Sequence, residues 1–165
     1  KASTEGASVC RKNIVWEDFC NYKKASLFIL TPYCSYKCEQ DCGEKCCQNR
    51  SLLTQPTIDI DPNIIINKYI NDPITQSVIF GGMEPFDSFT DIIDFIKKFR
   101  KICDDEIIIY SGYTEFELKD KIEILNQYPN IIIKFGRFIP HQKSHFDDTL
   151  GIYLASENQY AKQIS

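Results

Sequence analysis

Five short runs of apolar residues, rich in Ile and Phe, restrict the fold of this chain more than any other feature. They lie at residues 27–30, 78–80, 107–110, 131–133 and 152–154. A run that is apolar at nearly every position is typical of a strand buried on both faces, and such strands build parallel sheets. The runs therefore predict the strands of an α/β domain with a mostly parallel sheet.

Helical patterns fill the segments between these runs. One begins at Asp61 and stops before Pro73, a second follows Ser88, and a third follows Thr114, where Glu117 completes a capping-box pattern. Alternating strands and helices favour right-handed crossovers within one sheet. A chain of 165 residues is the usual size of one such domain.

The first residues of the chain, its hydropathy and its net charge limit the class of protein that it can be. We expect residues 1–12, which are small and polar, to be a flexible segment and residues 13–165 to form the single domain. No stretch approaches the roughly 20 apolar residues of a membrane span, and the first residues lack the apolar core of a signal peptide. A net charge of −4 gives no surplus of Lys and Arg for phosphate binding. These features predict a cytoplasmic protein with no membrane and no nucleic-acid partner.

The most unusual sequence lies directly after the predicted strands. The loops that follow parallel strands meet at one edge of the sheet, where binding sites form. Here they are a cysteine-rich segment, GGMEP at 81–85, Ser-Gly-Tyr at 111–113, Phe-Gly-Arg at 135–137 and residues 155–159. Gly81 and Gly82 would let a ligand approach the backbone, and Glu84 is expected to present an exposed carboxylate.

The first of these loops holds five of the eight cysteines, namely Cys34, Cys38, Cys42, Cys46 and Cys47. The loop is rich in Gly, Glu, Gln and Lys, so it offers buried thiols no apolar surroundings, and metal ligation is the better interpretation. Zinc sites usually contain Cys-x2-Cys pairs, which this chain lacks. The pattern therefore favours an iron–sulfur cluster held by thiolates.

Five segments together resemble the radical S-adenosylmethionine (SAM) superfamily, and most closely the activating proteins of anaerobic ribonucleotide reductase. They are TPYCSYKC, CCQN, GGMEP, IIIYSGYTEFEL and LGIYLASENQ, and the resemblance extends from about Asn13 to Gln163. It implies a partial (β/α) barrel with mostly parallel strands that carries one [4Fe-4S] cluster on a Cys-x3-Cys-x2-Cys motif. Cys34 and Cys38 match the first part of this motif. Cys47 matches its last cysteine, although eight residues separate it from Cys38.

The resemblance also implies an activity. Three cysteine ligands leave one iron open for SAM, which is cleaved reductively to methionine and a 5'-deoxyadenosyl radical. The radical would install a glycyl radical on a partner such as anaerobic ribonucleotide reductase, with an electron donor such as flavodoxin or ferredoxin. Gly81, Gly82 and Glu84 would hold the methionine amino group. The ribose or carboxylate would be reached by Ser111, Ser156 and Asn158.

Two departures from the family concern the substrate more than the cofactor. The family's Asn-Gly-x-Gly segment is replaced by residues 21–24, which contain no glycine, and an acidic residue of the fourth loop is replaced by Phe135. A radical SAM enzyme acting on a small molecule, as deazaguanine synthases do, is therefore an alternative. Another is a non-enzymatic four-cysteine iron–sulfur or zinc module, in which Cys42 or Cys46 supplies the fourth ligand. Under the favoured interpretation those two cysteines have no role.

Overall fold

The computed structural model of the chain describes residues 9–11 and 13–165. The strands are β1 (Val9–Arg11), β2 (Asn13–Asp18), β3 (Ser26–Thr31), β4 (Ile58–Ile60), β5 (Ser77–Gly82), β6 (Glu106–Tyr110), β7 (Ile131–Phe135), β8 (His145–Asp147), β9 (Ile152–Leu154) and β10 (Tyr160–Gln163). The α-helices are α1 (Lys37–Cys42), α2 (Pro62–Asn71), α3 (Phe89–Phe99) and α4 (Lys119–Leu125).

A six-stranded sheet organises the fold, with the strand order β10-β7-β6-β5-β3-β2. Its four central strands are parallel, whereas β2 and β10 run antiparallel to their neighbours. The first four apolar runs are these central strands, so a mixed α/β domain with a mostly parallel sheet is confirmed. The partial barrel stays a prediction.

The fifth apolar run corrects the expectation drawn from the sequence. It forms β9, which pairs antiparallel with β8 in a separate two-stranded sheet. The place beside β7 is taken by β10 instead. The physical reason is that this run is not buried on both faces, because Tyr153 is 70% exposed and only Leu154 is fully covered.

The two faces of the main sheet are covered differently. One face packs Phe80, Ile109 and Ile133 against the apolar sides of α2 and α3, which contribute Ile66 and Phe95. The opposite face carries the alternate residues of the same strands and is covered by the side chains Tyr22, Leu150 and Leu154. The second face is therefore only partly closed, and its end at the carboxyl termini of the strands is open to ligands.

Helix starts follow the predicted signals to different extents. The Asp61 carboxylate accepts a hydrogen bond from the Asn63 backbone N at 2.9 Å, as expected for the N-cap of α2. Ser88 precedes α3 but makes no side-chain cap. Thr114 and Glu117 do bond reciprocally, with Thr114 N 2.9 Å from the Glu117 carboxylate, although α4 itself begins only at Lys119.

The N-terminal prediction lies largely outside the part of the chain that the structure describes. Of the segment expected to be flexible, residues 1–8 and 12 fall outside it. Val9–Arg11 form a strand that pairs antiparallel with Ile58–Ile60, and the flexibility of the segment stays a prediction. Among the described residues, no helix combines the length and apolar character needed to cross a membrane.

Candidate functional site

The loops after the central strands enclose a cavity of about 350 Å³, here called the main cavity. It lies on the second face of the sheet, where Phe28, Leu30, Tyr110 and Lys134 form its floor. Seven residues predicted to form the site line it: Cys34, Cys38, Cys47, Gly81, Gly82, Glu84 and Ser111. The fourth loop contributes Gly136 and Arg137 and the fifth Ala155 and Gln159, so all five loops meet at this cavity.

The cysteine loop places three partly buried thiols on the wall of this cavity. Cys34 follows β3, Cys38 lies in the short helix α1, and Cys47 follows that helix. All three are free thiols. Burial raises the pKa of the Cys34 thiol to about 11 and also raises the pKa of Cys38, with the neighbouring Cys47 as a second cause. The raised pKa favours the neutral thiols of Cys34 and Cys38, so iron binding there would release protons.

The spacing of these thiols bears on the kind of metal site. Within residues 9–11 and 13–165, no three His, Cys, Asp or Glu side chains converge as ligands of a single metal ion. Structural zinc requires such convergence, because four ligands surround one ion at 2.0 to 2.3 Å. A cluster differs in that each thiolate binds a different iron.

The cysteine loop is fastened to the sheet at both ends. At its start, the Ser35 backbone N donates to Asp87 Oδ2 at 2.9 Å. At its end, the Asn49 side-chain amide donates to the carbonyl oxygen of Gly82. Inside the loop, the Cys47 backbone N donates to Glu39 Oε1 at 3.1 Å. These bonds hold the loop against the glycine turn.

The two glycines are required by close packing. A Cβ on Gly81 would lie 2.7 Å from the Phe28 ring. Gly82 has a φ of +85°, and a Cβ there would lie 3.0 Å from Leu30 Cβ. The Gly81 carbonyl accepts from Thr31 Oγ1 at 2.9 Å, so both glycine carbonyls already bond to the protein.

Glu84 is buried, which corrects the expectation of an exposed carboxylate. Its exposed fraction is 8%. It accepts hydrogen bonds from the Phe86 N at 3.1 Å, the Ser111 hydroxyl at 3.0 Å and the Gly112 N at 2.8 Å. The reason is that the loop after β6 folds over the carboxylate. Burial raises the pKa of Glu84, while the three donors favour its charged form. About four acceptor positions exist on a carboxylate, so one remains free.

Comparison with protein-family models identifies the domain. Residues 24–160 match the model of a 4Fe-4S single cluster domain. The chain belongs to the 4Fe-4S single cluster domain family. Domains of this family occur in radical SAM-type proteins. No curated protein and no solved structure matches the chain.

The donors of this 4Fe-4S domain suit the group that the family binds. Thiolates are the usual cluster ligands, and Cys34, Cys38 and Cys47 are free thiols on the wall of one cavity. Cys46 also lines this cavity, but its Sγ lies 2.9 Å from Cys42 Sγ. Burial and this contact raise the pKa of Cys46 to about 12.

Lys134 is a buried cation of the 4Fe-4S domain that sequence reasoning missed. Its ammonium donates to the carbonyl oxygens of Ser111 at 3.1 Å and Gly136 at 2.9 Å. Burial lowers the pKa of Lys134 to about 8, and the charge of Glu84 opposes this effect. The available signal was a single Lys inside the apolar strand β7.

Two residues predicted to contact the ribose or carboxylate do not line the main cavity. Ser156 is fully buried, and its hydroxyl donates to Asn158 Oδ1 at 2.7 Å. The Asn158 amide in turn donates to the carbonyl oxygen of Arg137 at 2.8 Å. In their place, the nearby residues Ala155 and Gln159 reach the cavity wall. Their hydrogen bonds shape the loop between β9 and β10, Asn158 lines an adjoining cavity, and their contact with the ribose or carboxylate stays a prediction.

A second cavity of about 370 Å³, here called the side cavity, adjoins the main one at Cys38 and Arg137. The Arg137 guanidinium binds both carboxylate oxygens of Glu117, at 2.7 and 3.1 Å. Its Nε also lies 3.0 Å from Asp41 Oδ2, without the alignment of a hydrogen bond. Arg137 thus links helix α1 to the loops after β6 and β7.

Proposed function

We propose that this 4Fe-4S protein is a radical SAM enzyme that installs a glycyl radical on a partner protein. Cys34, Cys38 and Cys47 would hold the cluster, and the partner would be a glycyl-radical enzyme such as anaerobic ribonucleotide reductase. The observation that carries the proposal is that these three thiols and the turn from Gly81 to Glu84 line one cavity. A cavity of about 350 Å³ falls within the range of small-molecule sites.

Four thiols line the cavity wall, but the Cys46 sulfur contacts Cys42, so three remain as proposed cluster ligands, which supports SAM as the ligand of the fourth iron. Three cysteine ligands leave one iron of a four-iron cluster without a protein ligand. When bound, the cluster supplies the electron that cleaves SAM to methionine and a 5'-deoxyadenosyl radical, chemistry that belongs to the cofactor. Flavodoxin or ferredoxin would be suitable electron donors. The protein contributes ligands, orientation and exclusion of water.

The residues beside the thiols have positions that suit a zwitterionic ligand. Glu84 retains one acceptor position for an ammonium group, and its other positions are fixed by Phe86, Ser111 and Gly112. Because the Ser111 hydroxyl donates to Glu84, we assign Ser111 to positioning that carboxylate. Gly81 and Gly82 keep the turn free of side chains that would fill the cavity.

SAM cleavage is the first test. Protein reconstituted with iron and sulfide under anaerobic conditions, reduced and given SAM should release 5'-deoxyadenosine and methionine in equal amounts, measured by liquid chromatography. The variant Cys34→Ala should release neither, whereas Cys20→Ala, which removes an exposed thiol, should retain the activity. Absence of cleavage by the unaltered protein would disprove the proposal.

The partner is tested separately by electron paramagnetic resonance. Active protein mixed with an anaerobic ribonucleotide reductase should generate the doublet of a glycyl radical on the reductase, and Cys34→Ala should not. A protein that cleaves SAM but produces no doublet, and instead converts a small molecule, would support the deazaguanine-synthase-like alternative. The two experiments therefore separate the cofactor chemistry from the choice of substrate.

A further inference from the structure

Cys42 and Cys46 form a close pair of thiols that the proposed cluster does not use. Their Sγ atoms lie 2.9 Å apart, and one thiol donates a hydrogen bond to the other. The two sulfurs of a disulfide lie about 2.05 Å apart, so this pair is within about 1 Å of bonding distance. Neither cysteine is one of the three proposed cluster ligands, which are Cys34, Cys38 and Cys47.

The backbone between the two thiols has room to bring them together. Cys42 is the last residue of α1, and Gly43 follows it with a φ of +73°. No atom lies within 4 Å of the position of a Cβ on Gly43. Because glycine has the widest range of backbone conformations, small rotations at this residue can close the remaining gap.

The surroundings of the pair argue against a fourth cluster ligand. Cys46 lines the main cavity, whereas Cys42 lines only the side cavity, which it shares with Cys38. If Cys46 bound iron, its contact with Cys42 would break, and the corner of the cluster that a small ligand needs would be closed. The observed contact keeps the sulfur of Cys46 occupied by its neighbour.

We propose that Cys42 and Cys46 are a thiol–disulfide couple that reacts with low-molecular-weight disulfides and is separate from the cluster ligands. The Cys42 thiolate, on the wall of the side cavity, attacks a disulfide R–S–S–R, forms a mixed disulfide and releases R–S⁻, which takes up the proton that Cys42 lost. The second cysteine displaces the remaining group as R–SH and completes the Cys42–Cys46 bond. The two cysteines are oxidised by two electrons, and the reagent is reduced to two thiols.

The side cavity gives a small reagent access to this couple. Cys42 lies on its wall, and its volume of about 370 Å³ is large enough for a small disulfide. The product would join the end of α1 to the residue that precedes Cys47. Since Cys38 lies in the same helix, the bond would restrain two of the proposed ligands without consuming either.

Peptide mapping of the cluster-loaded protein tests the proposal without any substitution. Anaerobic protein is equilibrated with oxidised glutathione, its iron is measured, and it is then acid-quenched, alkylated and digested with trypsin. Cleavage after Lys45 should leave peptides 38–45 and 46–50 joined, and fragmentation should locate the bond at Cys42 and Cys46. We expect the loss of two of the eight thiols, an unchanged iron content, and full reversal by dithiothreitol.

Matched variants distinguish the couple from cluster ligands. Cys42→Ser and Cys46→Ser should each abolish formation of the linked peptides and keep the iron, while Cys20→Ser, at an exposed site, should behave like the unaltered protein. A bond to Cys34, Cys38 or Cys47, no linked peptides after prolonged oxidation, or loss of iron in the double variant would each overturn the proposal. SAM is absent throughout, so these outcomes are independent of the cleavage assay.

Discussion

Lys134 should make the stability of this domain depend on pH in the alkaline range. Its ammonium is buried between the carbonyl oxygens of Ser111 and Gly136, which it bonds at 3.1 and 2.9 Å. Burial lowers its pKa from 10.5 to about 8. Replacement by Met removes the charge but keeps an unbranched side chain, so the perturbation is mainly electrostatic.

The sign and size of the effect follow from this lowered pKa. Below pH 8 the lysine is protonated in both the folded and the unfolded state, and the folded state carries the full penalty of a buried cation. Between pH 8 and 10.5 the folded state releases the proton while the unfolded state keeps it, so the free energy of unfolding rises. The total change is about 3 kcal/mol, because each pH unit between the two pKa values contributes about 1.36 kcal/mol.

Urea unfolding of the reduced, cluster-free protein between pH 7 and 10 measures this effect. The quantity to follow is the free energy of unfolding of the unaltered protein minus that of Lys134→Met, which cancels the titration of other groups. It should rise by about 2 to 3 kcal/mol over the range. Lys97→Met, at an exposed site on α3, should follow the unaltered protein. A difference that stays constant with pH would refute the argument that burial sets this pKa.

Two further predictions concern backbone strain and an ion pair. Gly82→Ala should lower the free energy of unfolding by about 2 to 3 kcal/mol, because its φ is +85° and the new Cβ would lie 3.0 Å from Leu30. Gly43→Ala, with a φ of +73° and open space, should lose only about 1 kcal/mol in the same urea measurement. Arg137→Met should raise the pKa of Glu117 from about 2 towards 4.5, because their hydrogen bond is the main cause of the low value. Carbon-13 NMR would detect this change, and an unchanged titration would show that other groups hold the charge.

The central strands could be predicted from the sequence because burial on both faces leaves an apolar residue at nearly every position. The edge strands have no such continuous apolar pattern. β2 alternates between exposed and partly buried positions, and three of the four residues of β10 are exposed. Both strands are held by backbone pairing, β2 with the next strand β3 and β10 with the more distant β7. Backbone hydrogen bonds form with almost any side chain at the position, so they leave no pattern in the sequence.

The parts of the candidate site that depend on the position of a loop after a strand could be predicted from the sequence. The parts that depend on tertiary contacts could not. The thiols and the glycine turn meet because parallel strands end at one edge. The burial of Glu84 could not be predicted, since it arises when Ser111 and Gly112, about 27 residues later in the sequence, fold over the carboxylate. The pairing of Cys42 with Cys46 likewise depends on how the chain turns after α1.

Because the cysteine loop is anchored at both ends, its length can change without moving the strands beside it. Ser35 bonds to Asp87, just after β5, and Asn49 bonds to Gly82 at the end of β5, so both ends of the loop are held at the same end of this strand. Residues added between Cys38 and Cys47 then alter only the entropy of closing that segment. Compared with the two residues of the radical SAM motif that the sequence resembles, the eight intervening residues are two doublings in length, or about 1.2 kcal/mol for a flexible chain. An insertion as long as a helical turn and a half is thus energetically minor, and new side chains can accumulate there while the strands keep their register.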